Sequence, residues 1–217
     1  MSPPSSRTYY LVRHGQTEWN AIARMQGQLD SCLTALGREH ARATGRLLAR
    51  LGVDSVFASP LGRVRETLAI VAEHVRAAPV FDDRLMEWSA GAWSGELYAD
   101  LPQRWPDAFA AWLADRYHQR SPGGENFADL VVRARSFLET AHQSAGERIA
   151  IVAHGFLNRA LAEVLLGLSP AETLQIRQAN DIVIRITVTD GARAVDHFVG
   201  GDGPIAGLPV AAVRGPA

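Results

Sequence analysis

The chain has 217 residues, of which 47% are hydrophobic and 21% charged, so it can bury a sizeable core. The net charge of −1 argues against a general role on nucleic acid or at a membrane surface, since both usually need a basic excess. All 22 basic residues are arginine, which excludes a lysine Schiff base, and the single cysteine, Cys32, excludes an internal disulfide and a cysteine-based zinc site. We find no signal pattern and no bilayer-length apolar run, and we expect a cytoplasmic protein.

Short apolar segments alternate along the chain with segments in which apolar residues recur at helical spacing. Thr34 is a candidate N-cap for the first helix. In chain order, the pattern predicts a strand at 8–12, a helix at 35–51, a strand at 55–58, a helix at 64–75, a strand at 79–81, a helix at 127–141, a strand at 149–153, a helix at 160–168, a strand at 182–188 and the end of another strand at 197–199.

This alternation predicts an α/β fold: a three-layer sandwich in which a mostly parallel central sheet carries helices on both faces. Residues 85–124 break the rhythm with four tryptophans among glycines and prolines, and we expect a mostly helical excursion over the site rather than a second domain. We predict a single domain over residues 1–217, with its core over about residues 8–200 and irregular tails at 1–6 and 201–217.

Charged and imidazole side chains follow four of the predicted strands. Arg13 and His14 follow the first strand, Arg63 follows the second, Glu87 the third and His154 the fourth. The carboxyl ends of parallel strands meet at one sheet edge, where open α/β sheets bind their ligands. We therefore expect these five side chains to lie together.

Two arginines and two histidines in one place favour chemistry on phosphate. Guanidinium groups match phosphate oxygens with two parallel hydrogen bonds. A neutral imidazole can attack phosphorus, and nearby arginines disfavour its protonation. Glu87 can protonate the leaving oxygen and later activate water. Because the arginines neutralise the phosphoryl charge, no metal is needed; they would also repel a cation held by His14 and His154, for which no third ligand has suitable spacing.

The run from Leu11 to Asn20, Leu-Val-Arg-His-Gly-Gln-Thr-Glu-Trp-Asn, resembles the signature of the histidine phosphatase superfamily, in its phosphoglycerate-mutase-like branch. The resemblance extends over most of the chain, about residues 8–190. It continues in order through residues 25–30, 59–67, 85–95, 122–125 and 152–155.

The resemblance implies a role for each matching residue. His14 would be the nucleophile that forms a phosphohistidine, and Arg13, Arg63 and His154 would complete the phosphate pocket. Glu87 would be the proton donor, a role for which the residues alone do not distinguish it from neighbouring carboxylates. Further contacts with the phosphoryl group or substrate would come from Asn20, Gln26 and the backbone around Gly15, Gly27 and Gly155, where a missing Cβ permits close approach.

The expected function is that of a metal-independent, cofactor-free phosphomonoesterase, which hydrolyses small phosphorylated metabolites through a phosphohistidine. The chain lacks the longer inserts of phosphoglycerate mutases, which favours hydrolysis over phosphoryl return. A mutase remains an alternative, as does a non-catalytic phospho-ligand binding module, although a binder would need neither His14 nor Glu87.

Three residues depart from the pattern that the resemblance implies: Phe156 after His-Gly, Asn126 after Gly-Gly-Glu, and Ser94 before Gly95. We expect the phosphate pocket to be intact and the leaving-group pocket to be made more apolar by Phe156 together with Trp88 or Trp93. The substrate and the oligomeric state, including a homodimer, stay open.

Overall fold

The computed structural model describes residues 6–144 and 146–210. Their strands form one seven-stranded sheet in the order β3-β2-β4-β1-β5-β6-β7. The strands are β1 (Ser6–Arg13), β2 (Ser55–Ala58), β3 (Pro79–Phe81), β4 (Arg148–Ala153), β5 (Ile182–Thr189), β6 (Ala192–Val199) and β7 (Asp202–Ala206).

Most of the sheet runs in one direction. β3, β2, β4 and β1 pair in parallel, and three antiparallel pairings then add β5, β6 and β7. Five of the seven strands therefore share one direction, which confirms the predicted mostly parallel sheet.

Helices connect the strands. The described helices are α1 (Glu18–Ala21), α2 (Ala35–Arg50), α3 (Gly62–Val71), α4 (Leu101–Arg104), α5 (Pro106–Ala114), α6 (Phe127–Ser144), α7 (Gly155–Leu166) and α8 (Pro170–Gln175). α2 begins where predicted, because the Thr34 hydroxyl accepts the Gly37 amide at 3.0 Å. Prediction missed α8, although its first turn holds a capping box between Ser169 and Glu172.

The helices cover both faces of the sheet, since successive strand residues point to opposite sides. Tyr9 and Leu11 of β1 pack in one apolar cluster with buried residues of α6 and α7. Tyr10 and Val12 pack in a second cluster with buried residues of α2 and α3. The three-layer α/β architecture is confirmed.

The tryptophan-rich segment is helical but discontinuous. Three 3₁₀ turns at Asp83–Leu85, Gly91–Trp93 and Tyr98–Asp100 precede α4 and α5. Trp93 is fully buried between Phe109 and Trp112, with ring centroids at 6.1 and 5.7 Å. These aromatic contacts bury the inner side of the segment against the sheet and α6 and α7.

Two details of the predicted tails were wrong. Ser6 already belongs to β1, and residues 202–206 form β7 instead of an irregular tail. β7 is an exposed edge strand that contains Pro204, so it has neither the apolar alternation nor the composition by which strands are predicted. The remaining tail residues, 1–5 and 211–217, lie outside the described part. Within the described part, no helix is both long and apolar enough to cross a membrane.

Candidate active site

The strand register sets the two site histidines side by side. Val12 of β1 and Ala58 of β2 both align with Val152 of β4, so the residues that leave these strands emerge in adjacent positions. His14 and His154 follow β1 and β4, and their ring centroids lie 5.3 Å apart. The predicted convergence of strand ends is therefore a consequence of the pairing of β2, β4 and β1.

A cavity of about 170 Å³ opens at this edge. Eight of the residues predicted to act on or contact the substrate line it, together with Trp88 and Phe156, which were expected at the leaving-group pocket, and three further residues. The predicted residues are Arg13, His14, Asn20, Gln26, Gly27, Arg63, Glu87 and Gly155.

His14 is 3% exposed, and its Nδ1 lies 2.8 Å from the carbonyl oxygen of Gly15. Because a carbonyl oxygen only accepts, Nδ1 carries the proton and Nε2 keeps its lone pair. Burial, followed by the charges of Arg63 and Arg13, holds the pKa of His14 well below that of an ordinary histidine. The ring is therefore neutral and nucleophilic at neutral pH.

Four of the five N–H groups of the Arg63 guanidinium have hydrogen-bond partners, which leaves one N–H group on Nη2. Its Nη1 donates to Asp30 at 2.8 Å and to the Leu29 carbonyl at 2.6 Å, and its Nη2 donates to the Gly27 carbonyl at 2.7 Å. Its Nε lies 3.3 Å from Nε2 of His14. Asp30 also accepts the first amides of α3, so one carboxylate fixes both the helix end and the arginine.

Arg13, the last residue of β1, has fewer hydrogen bonds than Arg63. Its Nη1 donates to the Gln178 carbonyl at 2.7 Å, whereas its buried Nε has no hydrogen-bond partner. The Gln178 side chain in turn donates to the Leu11 carbonyl at 2.8 Å and accepts from Asn158. This buried network fixes the loop after α8 against β1 and so fixes Arg13.

His154 is fully buried and lies behind the cavity wall, beside His14. Its Nε2 lies 2.8 Å from Oγ of Ser59, which also accepts the Leu61 amide. The buried hydroxyl needs an acceptor for its proton, and Nε2 is the one within reach, so Nδ1 carries the ring proton. That Nδ1 is buried without a partner. Burial and the Arg63 charge hold the pKa of His154 well below the ordinary value.

Glu87 is 9% exposed and lies at the N-terminus of α7. Its Oε1 accepts the amide of Leu157 at 3.2 Å, and its Oε2 accepts that of Phe156 at 3.3 Å. The side chain of His154, the N-cap residue of α7, makes no capping hydrogen bond. Glu87 therefore caps the helix from a distant loop. Of the neighbouring carboxylates, Glu87 lines the cavity, whereas Asp82, Asp83 and Glu96 do not.

The other predicted residues differ in placement. Gly27 has φ +51°, and its carbonyl holds Arg63. Asn20 forms a capping box with Thr17, the N-cap of α1: its Oδ1 accepts the Thr17 amide and lies 3.5 Å from Nδ2 of Asn180. Gly15 does not line the cavity; its amide donates to Thr67 and its carbonyl accepts from His14. A substrate contact by Gly15 stays a prediction.

Sequence reasoning missed three residues of the cavity wall, Arg24, Met25 and Arg159, whereas Trp88 and Phe156 were expected at the leaving-group pocket. Trp88 and Phe156 stack at 5.2 Å with an interplanar angle of 27°, which agrees with the apolar pocket expected from these two residues. Trp93 lies beneath them and does not line the cavity. Arg159 could have been predicted from helical spacing, because it lies one turn beyond Gly155 in the same helix.

The other two departures lie outside the cavity. Asn126 exchanges hydrogen bonds with Asp129 and caps α6, which explains an amide side chain at that position. Ser94 ends a 3₁₀ turn. Among the described residues, no group of three or more His, Cys, Asp and Glu side chains is arranged to hold a metal ion.

A neutral imidazole, two fixed guanidinium groups and a carboxyl group around one small cavity define a site for phosphoryl transfer. The sequence model of the histidine phosphatase superfamily (branch 1) matches residues 9–199, and the chain belongs to this family. The resemblance found in the sequence is thereby confirmed.

Relatives carry the names of both phosphatases and mutases. Phosphoserine phosphatase 1 of Hydrogenobacter thermophilus is 27% identical over 192 residues, which are 82% of this chain and 91% of that protein. A probable phosphoglycerate mutase of Serratia proteamaculans is 37% identical over 181 residues, covering 82% of this chain and 83% of the relative.

Solved structures share the fold. A mycobacterial glucosyl-3-phosphoglycerate phosphatase superposes with a TM-score of 0.75 at 31% identity, over 83% of this chain and 92% of that one. A putative alpha-ribazole-5'-P phosphatase from Escherichia coli superposes with a TM-score of 0.83 at 23% identity, over 92% and 98% of the two chains.

Proposed function

We propose that the protein is a metal-independent phosphomonoesterase, which hydrolyses a small phosphorylated metabolite through a phosphohistidine on His14. The observation that carries this proposal is the state of the His14 ring. Its Nδ1 is bound to the Gly15 carbonyl and its Nε2 is unprotonated, 3.3 Å from an arginine that can hold a phosphoryl oxygen. A group that only bound phosphate would need a donor at this position.

In the first step, the phosphoryl group lies against Arg13 and Arg63, while a direct contact with the Nδ1–H of His154, which lies behind the cavity wall, stays a prediction. Nε2 of His14 attacks phosphorus while the bond from phosphorus to the ester oxygen breaks. Glu87, protonated, gives its proton to the leaving oxygen. The guanidinium groups stabilise the charge on the equatorial oxygens without rearranging, because the protein already holds them in place.

In the second step, Glu87 takes a proton from water, whose oxygen attacks phosphorus as the bond to Nε2 breaks. Phosphate leaves, and Glu87 is protonated again for the next cycle. The Nδ1 proton of His14 remains with Gly15 throughout. Contacts from Asn20, Gln26, Gly27 and Gly155 would orient the rest of the substrate.

A phosphoglycerate mutase is the second candidate, because a relative that is 37% identical bears that name. In a mutase, the phosphohistidine returns its group to the organic product instead of to water. Hydrolysis is supported by the relatives and solved structures that bear phosphatase names.

The test is a screen for phosphate release over phosphorylated sugars, hydroxy acids, amino acids and nucleosides, with a mutase assay alongside. We expect release that His14→Ala abolishes and that a strong chelator leaves in place. Phosphate release that His14→Ala leaves undiminished would contradict the mechanism. Loss on chelation that a divalent metal restores would contradict metal independence.

The predictions from sequence about the number of domains, the partners and the location are part of this proposal. One sheet spans the described chain from β1 to β7, which supports a single domain over residues 1–217. The net charge of −1 supports the prediction that the protein binds neither nucleic acid nor membranes. A cytoplasmic location stays a prediction. A homodimer stays a prediction that sedimentation can test.

A further inference from the structure

Arg159 is a cation on the cavity wall that the mechanism above does not use. It lies in the second turn of α7 and lines the same cavity as His14 and Glu87. Its guanidinium carbon lies 5.0 Å from the ring centroid of Phe156, which stacks on Trp88. The aromatic pair therefore gives this arginine a defined position beside the leaving-group side of the cavity.

Arg159 has no ion-pair partner among the described residues, although Glu87 on the same cavity wall acts on its charge from a longer distance. Its buried Nε has no hydrogen-bond partner, and no described carboxylate lies within ion-pair distance of its guanidinium. Burial, with Arg177 and Arg13 nearby, lowers the pKa of Arg159 to about 10. Desolvating a cation without a partner is unfavourable, and such arrangements concentrate at functional sites.

The cavity as a whole has more cations than a phosphoryl group requires. Four arginines line it against one carboxylate, Glu87. Arg13 and Arg63 adjoin His14 and would face the phosphoryl group, which leaves Arg24 and Arg159. Arg24 donates to the Gly95 carbonyl through Nη1 and packs over the Trp19 ring, again without a described carboxylate partner.

We propose that Arg159, with Arg24, binds a second anionic group of the substrate, either a carboxylate or a second phosphate. This inference rests on the proposed function, since it places the first phosphoryl group at His14. Guanidinium groups recognise both kinds of anion with paired hydrogen bonds, and the free Nε of Arg159 supplies a donor for one of them. The substrate is thus a phosphomonoester with an acidic group on its leaving-group side.

The test uses three esters that share a glycerol 3-phosphate half. Glycerol 3-phosphate ends in a hydroxymethyl group, 3-phosphoglycerate has a carboxylate there, and glycerol 1,3-bisphosphate has a second phosphate. Affinities are measured by calorimetry on the His14→Ala protein, so that no ester is consumed. We expect one or both of the doubly anionic esters to bind at least about tenfold more tightly than glycerol 3-phosphate.

The variant Arg159→Gln, in the same His14→Ala protein, is expected to reduce this affinity ratio to near one, with Arg159→Lys in between. The matched control is Arg177→Gln, which removes a neighbouring exposed arginine that does not line the cavity and should keep the ratio. The ester with the larger ratio identifies the second group as carboxylate or phosphate.

Two results would overturn the inference. One is a ratio near one for both doubly anionic esters, and the other is a ratio that Arg159→Gln does not change, as expected if Arg159 held the phosphoryl group itself or only packed on Phe156. Hydrolysis of the same esters by the protein with His14 intact tests the proposed function separately. If none of the three binds, the inference about a second anionic group fails, whereas the proposed function is judged by phosphate release in the wider screen.

Discussion

The Nε–H group of Arg63 donates to Nε2 of His14 at 3.3 Å, so the side chain placed to hold a phosphoryl oxygen also keeps the attacking nitrogen unprotonated. The two residues come from different strand ends, 49 positions apart in the chain. Their contact depends on Asp30, which anchors Arg63 from a third segment. The charge of the arginine and the burial of the histidine act in the same direction on the His14 pKa.

A first prediction concerns stability against pH. His14 and His154 both have depressed pKa values in the folded state, so each gains a proton on unfolding below about pH 6.5, the ordinary histidine value. Stability should therefore fall as pH drops from about 6.5 toward the folded-state values. Each histidine contributes a slope of about 1.4 kcal/mol per pH unit in that window.

Urea unfolding of the wild type and His14→Asn across this window checks the prediction. Asn keeps a donor for the Gly15 carbonyl but cannot be protonated. The variant should lose about 1.4 kcal/mol per pH unit of the slope, which corresponds to one proton. Identical slopes in the two proteins would mean that His14 is not buried in its neutral form.

A second prediction concerns the two tasks of Glu87. Glu87→Gln keeps an oxygen for the first turn of α7 but cannot give a proton to the leaving group. We expect turnover of alkyl phosphates to fall by about 10²–10⁴. The burst of p-nitrophenol from p-nitrophenyl phosphate should fall much less, because that leaving group departs without a proton.

Glu87→Ala provides the structural comparison. It removes the cap as well as the acid and should lower the free energy of unfolding by about 0.5–2 kcal/mol relative to Glu87→Gln, measured by chemical denaturation. Equal losses with both leaving groups would show that Glu87 is only a cap.

A third prediction concerns Ser59, a positioning residue that acts through His154. With Ser59→Ala, Nε2 of His154 loses its partner, and the tautomer with the proton on Nδ1 is no longer enforced. We expect ¹⁵N ring shifts of His154 to show a mixture of tautomers, with affinity for inorganic phosphate reduced about tenfold.

The matched control is Ser121→Ala, because Ser121 is equally buried and its hydroxyl has no hydrogen-bond partner. It should leave the His154 shifts and phosphate affinity unchanged. A His154 spectrum that is insensitive to Ser59→Ala would remove Ser59 from the mechanism.

The site residues at strand ends were predictable, because the carboxyl ends of parallel strands lie at the same edge of a sheet. Arg13, His14, Arg63 and His154 each lie within a few residues of a buried apolar strand. Glu87 lies six positions beyond β3, in a turn with no local signature, and only the family resemblance selected it. Its role became visible once α7 was seen to lack a cap of its own.

The rest of the cavity wall could not be predicted, for a physical reason. Arg24 lies in a loop and Arg159 in a helix, where arginine is a common surface residue, and only tertiary packing brings the two to one cavity. β7 was missed because an exposed edge strand buries no face and so carries no period-two pattern. α8 is different, since the capping box from Ser169 to Glu172 was a usable signal.

The most direct measurement is the site of covalent phosphate during turnover. The protein is quenched within milliseconds of mixing with a hydrolysed ester, digested under alkaline conditions, and its peptides are analysed by mass spectrometry. We predict an acid-labile, base-stable phosphate on His14, absent from His14→Ala. Phosphate on a serine or carboxylate, or turnover with no phosphoenzyme in either protein, would contradict the nucleophilic role of His14.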